Sequence, residues 1–158
     1  MVMKPNILRN SAKAIIIRDE RLLVVGIRDH DGEWFILPGG GQNWGETLHD
    51  ALVRECHEEI GTEVSIGPLR LIREYRGNRH EFAATDGHAH QIEFMFACEV
   101  PADYQPTNGH TPDNAQCGVY WLPLVELDRH RLYPSVLRHL LRHGLPAGDG
   151  PVYLGDVN

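Results

Sequence analysis

Positive charge is scarce in this 158-residue chain: 15 Lys and Arg stand against 22 Asp and Glu, a formal net charge of -7 with His neutral. Long nucleic acid is bound largely through surplus cations, so bulk electrostatics excludes it as a partner. A small nucleotide held through a bound cation is not excluded. Cysteine is scarce too. Cys56, Cys98 and Cys117 are odd in number, widely spaced, and form no Cys-x-x-Cys. That excludes a disulfide framework or a zinc knuckle and makes a reducing cytoplasm the expected location. No apolar run approaches the ~18 residues of a membrane span, and Met1–Arg9 lacks the apolar centre of a signal peptide. Repeats and low-complexity blocks are absent. The length fits one domain over 1–158, close to the typical domain of about 150 residues, with a tail over 145–158 that is either an edge strand or loosely ordered.

What is present reads first as strands. Lys13–Arg18 and Arg21–Arg28 are rich in Ile, Leu and Val and flank a turn at Asp19-Glu20. Trp34–Leu37, Leu69–Tyr75, Gln91–Val100 and Val119–Leu122 are further strands. Thr47–Ile60 lacks Pro and Gly and ends at Gly61, where a left-handed cap is wanted. A short helical turn is expected over Pro123–Leu127, and a last helix over Val136–His143 capped by Ser135. Pro101–Ala115 reads as a polar loop. Strands, a helix, more strands and a last helix give an α+β fold, a mixed sheet with helices packed on its faces.

The chemistry concentrates between Pro38 and Thr62. A Walker A loop fails because Glu46, not Lys, follows Gly45, and the G-x-G-x-x-G pattern fails because Trp44 takes the third glycine's place. On a helical wheel, Leu48, Ala51, Leu52 and Cys56 form an apolar stripe, and Glu55, Glu58 and Glu59 continue it. Three carboxylates at i, i+3 and i+4 repel one another. They also crowd the negative end of the helix dipole, with no Lys or Arg after them in the helix. A hard divalent cation with oxygen ligands, Mg²⁺ or Mn²⁺ shared with substrate phosphates, supplies the missing charge.

This segment resembles the Nudix box, G-x5-E-x7-R-E-U-x-E-E-x-G-U with U a bulky aliphatic residue. Here it reads Gly40, Glu46, then Arg54-Glu55-Cys56-His57-Glu58-Glu59-Ile60-Gly61-Thr62. Every charged and glycine position matches; Cys56 and Thr62 depart at the two aliphatic ones. The resemblance implies the Nudix α/β/α sandwich, with the box helix and a C-terminal helix packed on a mixed sheet. It implies Glu58 and Glu59 as metal ligands, with the Gly40 carbonyl as another. Glu55 becomes a ligand or the base that activates water, and Arg54 its orienting partner. Glu46 assists from the start of the helix. Gly39 and Gly41 let the backbone approach the substrate. A further family acid precedes a Trp-bearing strand; Gln116 stands near that place before Trp121, leaving Asp113, with Asp86 as a second candidate.

Outside the box, Trp44 is the leading aromatic to stack on a base because it lies in the box loop, whereas Trp34, Tyr75 and Phe94 read as packing. Arg73, with Arg70 and Arg76 near it on one strand, is a candidate for substrate phosphate. His80, His88 and His90 read as a polar loop near a substrate mouth before they read as a metal site. The expected activity is metal-dependent cleavage of a nucleoside diphosphate linked to a group X, giving NMP and phospho-X. ADP-ribose or a nucleotide sugar is favoured. Nucleoside triphosphates and dinucleoside polyphosphates are alternatives, and a non-catalytic nucleotide-binding domain is a further one. The expected assembly is a monomer or homodimer.

Overall fold

In a computed structural model, residues 6–158 are described; Met1–Pro5 lie outside them, and with them part of the segment read for a leader. Nine strands appear among the described residues: β1 (Ile7–Arg18), β2 (Arg21–Asp29), β3 (Gly32–Ile36), β4 (Gly39–Gly41), β5 (Ser65–Arg76), β6 (Ala89–Glu99), β7 (Gln116–Pro123), β8 (Leu132–Tyr133) and β9 (Val152–Asp156). Helices α1 (Leu48–Ile60), α2 (Ala83–Asp86) and α3 (Val136–Leu140) interrupt them. The sheet runs β8-β3-β2-β1-β6-β5-β9, with β4 also on β1 and β7 also on β2. It is mixed: β1 pairs parallel with β6 and antiparallel with β2 and β4.

Alternation along the strands explains the unbroken apolar runs, because both faces of the sheet are covered. Ala12, Ala14 and Ile16 of β1 and Leu23, Val25 and Ile27 of β2 pack in one core with Leu52, Cys56 and Ile60 of α1. Ile15, Leu22 and Val24 face the other way and pack with Leu127, Leu132 and Leu137 at α3. This is the two-faced sandwich expected from the sequence.

Helix α1 begins where anticipated. The Thr47 hydroxyl accepts from the Asp50 N–H, and the Asp50 carboxylate accepts from the Thr47 N–H, a reciprocal pair that satisfies two otherwise orphaned donors. Gly61 ends it at φ 70°. The last helix is shorter than expected. Ser135 is itself helical and does not cap; its hydroxyl binds the Asn158 carbonyl instead. Beyond Leu140 the chain tightens into i→i+3 bonds, Arg142 to His139 and Gly144 to Leu141. Two further features were not anticipated: Gly39–Gly41 forms a short strand on β1, and the segment after β5 forms a turn and α2. The tail carries β9 at the edge of the sheet, parallel to β5, the first of its two expected readings.

The β1–β2 hairpin turns through Asp19 and Glu20, both left-handed at φ 51° and 56°. This backbone suits the twist of a two-residue hairpin but strains residues with a Cβ. Replacing the pair with Asn-Gly is expected to stabilise the fold by about 1 kcal/mol, read as a higher midpoint in urea unfolding.

Candidate active site

Arg54 on α1 gathers the box. Its Nε and Nη2 donate to the two Glu46 carboxylate oxygens at 2.6 and 2.9 Å, its Nη1 to Glu55 Oε1 at 2.8 Å, and its Nη2 also to the Gly41 carbonyl at 3.0 Å. Glu58 lies 3.6 Å from Nη1. The bonds from Arg54, then the Asn43 N–H, hold the Glu46 carboxyl down to about 2. The same partner raises the Arg54 guanidinium above its ordinary value. Arg54 thus keeps Glu46 an anion and orients Glu55 beside it.

Glu59 sits differently. It is buried, and its Oε2 accepts from the Gly39 N–H at 2.9 Å. Burial pushes its carboxyl up to about 7. Lys13 and the Gly39 N–H pull it down; Glu55 and Asp113 push it up. Lys13, missed in the sequence, donates from Nζ to the Gly39 carbonyl at 2.9 Å. Its only signal was a charge within an apolar strand.

The glycines make these contacts possible. A Cβ on Gly39 would lie 2.1 Å from the Ala12 carbonyl oxygen, and one on Gly40 2.5–2.7 Å from the Glu55 carboxylate. At Gly41 it would meet the Arg9 guanidinium at 1.9 Å. At Gly39 the obstacle is backbone and excludes a side chain, whereas at Gly40 a Cβ would push the Glu55 carboxylate away and at Gly41 it would displace the flexible end of Arg9.

The polar loop Pro101–Ala115 completes the far end of α1. The N–H groups of Gly109 and Thr111 donate to the Glu59 and Glu58 carbonyls at 3.0 and 3.2 Å, Gln116 Nε2 donates to Glu59 O at 2.8 Å, and the Tyr104 hydroxyl donates to Ile60 O at 2.8 Å. Helix carbonyls that would be orphaned are thereby satisfied. Gln116, at the place read for a further acid, is a helix-end donor, and Asp113 acts on Glu59 through its charge.

The other sequence-derived candidates lie elsewhere. Trp44 is fully exposed at the tip of the box loop. Arg73 is buried, its Nε bonded to Glu93 Oε2 at 2.6 Å and its Nη1 to the Val157 carbonyl at 2.7 Å. It helps line a cavity of about 120 Å³, together with Lys13, Trp34, Tyr75, Asp86 and Asn158. Trp34 and Tyr75, read as packing, therefore face this cavity. Asp86 binds the Tyr75 hydroxyl at 3.2 Å. His80 stacks on Tyr75 and meets Asp156 Oδ1 at 2.7 Å, while His88 is exposed and His90 lies in β6.

A cluster of anions around one arginine, with a buried carboxyl and an open glycine backbone, suits a hard cation and a phosphoric anhydride. The comparisons agree. The NUDIX domain family model matches residues 8–143, and the chain belongs to that family. The curated relative "Low-salt glycan biosynthesis protein Agl8" of Haloferax volcanii is 44% identical over 55 residues, 33% of this chain and 35% of that protein. The chain thus matches about a third of that relative's length. An ADP-ribose pyrophosphatase from Streptococcus suis superposes with a TM-score of 0.63 at 16% identity, covering 92% of this chain and 98% of that one. A NUDIX hydrolase from Nitrosomonas europaea superposes with a TM-score of 0.65 at 22% identity, covering 89% and 88%. At these identities the two structures share the fold.

The carboxylate oxygens of Glu55, Glu58 and Glu59 are donors of the kind a hard divalent cation takes, and Gly40 lies against the Glu55 carboxylate. Among the described residues, ligand atoms of three residues come within 4.8 Å of one another only at exposed Asp29, His30 and Asp31, where the Asp31 N–H and the Trp34 indole N–H already occupy Asp29.

Two outcomes are expected. Glu59 must lose its proton to bind a cation, so Mn²⁺ affinity should fall about tenfold or more from about pH 7.5 to about pH 5.5, and Glu59→Gln should flatten that dependence in calorimetric titrations. The native state keeps this proton between about 4.5 and about 7, where the unfolded chain has lost it. The metal-free fold therefore loses stability as pH rises through that window. A Cβ at Gly109 would lie 2.1 Å from the Glu58 carbonyl oxygen. Gly109→Ala should therefore cost about 1–3 kcal/mol by unseating the loop from the helix end, measured by urea unfolding.

Proposed function

We propose that the protein is a divalent-metal-dependent pyrophosphohydrolase that cleaves a nucleoside diphosphate linked to a second moiety, a nucleotide sugar or a similar NDP-X, into NMP and phospho-X. One observation carries this reading: Lys13 both lines a ring-sized cavity and donates to the Gly39 carbonyl, and the N–H of that same glycine holds the Glu59 carboxylate of the box. The similarity to an ADP-ribose pyrophosphatase and to a glycan-biosynthesis protein supports an NDP-X over a triphosphate.

Glu55, Glu58, Glu59 and the Gly40 carbonyl are the residues that would hold Mg²⁺. When bound, the ion neutralises diphosphate charge and acidifies a coordinated water. The protein's own groups supply the rest. Glu55 gives Oε1 to Arg54 and keeps Oε2 to accept a proton from the attacking water. Arg54, itself held by Glu46, orients that carboxylate. Lys13 places a positive charge beside the path of the diphosphate. Products are a nucleoside monophosphate and the phosphorylated partner, with one water consumed.

A panel of ADP-ribose, ADP-, GDP- and UDP-sugars, nucleoside triphosphates and dinucleoside polyphosphates, assayed in Mg²⁺ or Mn²⁺ with phosphatase coupling, tests the reading. Turnover of an NDP-X, reduced by about 10² or more in Glu58→Gln, is expected. Exclusive turnover of triphosphates or dinucleoside polyphosphates overturns the substrate class, and nucleotide binding without turnover overturns the enzyme.

A further inference from the structure

The cavity of about 120 Å³ lies beyond the end of the second core. Lys13, Glu93 and Arg73 follow Ile15, Met95 and Leu71 at two-residue spacing on the same sheet face. It is smaller than the roughly 300–1,000 Å³ that encloses a whole drug-sized ligand, so it takes one planar ring system. Its walls suit such a ring. Trp34 and Phe82 both meet Tyr133 edge-on, at centroid distances of 6.0 and 5.3 Å, and Tyr75 lines it as well.

Of its charged groups, Arg73 and Glu93 are paired with each other and Lys13 is bonded to the Gly39 carbonyl, which leaves Asn158 and Asp86 to meet a ligand. Arg73 Nη1 donates to Asn158 Oδ1 at 3.3 Å. A guanidinium accepts nothing, so this bond sets the amide orientation and leaves Nδ2 as the free donor. Nδ2 is buried and has no hydrogen-bond partner among the described residues, a cost that an incoming acceptor would remove. Asp86 Oδ2 accepts from the Tyr75 hydroxyl, and Oδ1 is a further acceptor.

We propose that this cavity is the subsite for a 6-oxopurine base, guanine or hypoxanthine. Asn158 Nδ2 donates to O6 and Asp86 accepts from N1–H, with the 2-amino group of guanine adding a second donor to the same carboxylate. Adenine reverses both contacts, since its 6-amino group confronts the amide N–H and its unprotonated N1 confronts the carboxylate. Uracil offers a matching O4 and N3–H but sets its O2 against Asp86, and a single ring covers less of the aromatic wall. From the base, the sugar and diphosphate lead past Lys13, whose Nζ binds Gly39 O, to the box carboxylates. The proposal rests on the reading of the site as an NDP-X hydrolase and names the nucleoside that site selects.

Two measurements test it separately. Metal-free binding of GMP, IMP, AMP and UMP to the full chain, followed by tryptophan fluorescence, should rank GMP and IMP about tenfold or more above AMP and UMP. A further gain of GMP over IMP reports the 2-amino contact. Asn158→Asp replaces the donor with an acceptor and should weaken GMP while strengthening AMP, a change of ranking that general loss of structure cannot produce. Asp86→Asn should weaken GMP more than AMP. AMP binding as tight as GMP, or a GMP/AMP ratio unchanged in Asn158→Asp, overturns the proposal. The second measurement compares kcat/KM for GDP-glucose and ADP-glucose in Mg²⁺. Equal turnover of both refutes the base selection and leaves the hydrolase reading standing. No turnover alongside an intact GMP preference refutes the hydrolase reading and upholds the subsite.

Discussion

Gly39 is held from both sides of its peptide group: its N–H donates to the buried Glu59 carboxylate, and its carbonyl accepts from Lys13. Its φ of +127° and the Ala12 carbonyl pressed against the place of a Cβ leave glycine as the one residue that fits. Through this single residue the central strand β1, the short strand β4 and the helix α1 are fixed together. Glu59 is the innermost of the box carboxylates, Lys13 is the cation that reaches the cavity, and both take their positions from the same peptide unit. Arg54 then arranges the outer carboxylates around that fixed point.

Electrostatics divides the acids into two kinds. Glu46 and Glu55 are both tied to a permanent cation, which holds the Glu46 carboxyl well below its ordinary value. Glu59 is desolvated, has only a backbone N–H and a distant lysine to favour its charge, and so keeps its proton near neutrality. The sequence shows the three glutamates of α1 as equivalent repelling charges; folding makes them unequal. An inner carboxyl that gives up its proton only to a cation couples metal binding to pH, while the outer ones keep their orientation throughout.

Much of this was legible in the residues. The two covered faces were implied by runs such as Ile15-Ile16-Ile17, which have no polar alternation and so require apolar neighbours on both sides. The limits of α1 were legible because capping is local chemistry: Thr47 with Asp50 at one end, Gly61 at the other. The inward turn of Glu55, Glu58 and Glu59 followed from helical spacing. What stayed hidden depends on partners far along the chain. Arg73 looks like any strand arginine until Glu93, 20 residues on, and Val157, 84 residues on, are seen to close around it. Trp34 and Tyr75 show no sequence mark that separates a cavity wall from a core. Ser135, a good cap by type, is drawn to Asn158 instead, because long-range packing outweighs a local preference. Gly39–Gly41 pairs as a strand although glycine disfavours one, since β1 supplies the hydrogen bonds and the carboxylates need the space.

The loop before β7 carries a consequence for how this fold tolerates change. Surface connections usually accept insertions and deletions at little cost in chain entropy. Here the stretch from Asn108 to Gln116 ends the helix that bears the carboxylates, so its length is tied to the chemistry as tightly as the helix itself. The first half of the loop is tied down as well: the Tyr104 hydroxyl donates to the Ile60 carbonyl, and Arg18 donates to the carbonyls of Pro101, Ala102 and Tyr104. A graft that exchanged the whole loop between relatives would move the helix end with it. Change is therefore easier in the cavity wall, where side chains can be exchanged without displacing Glu58 and Glu59.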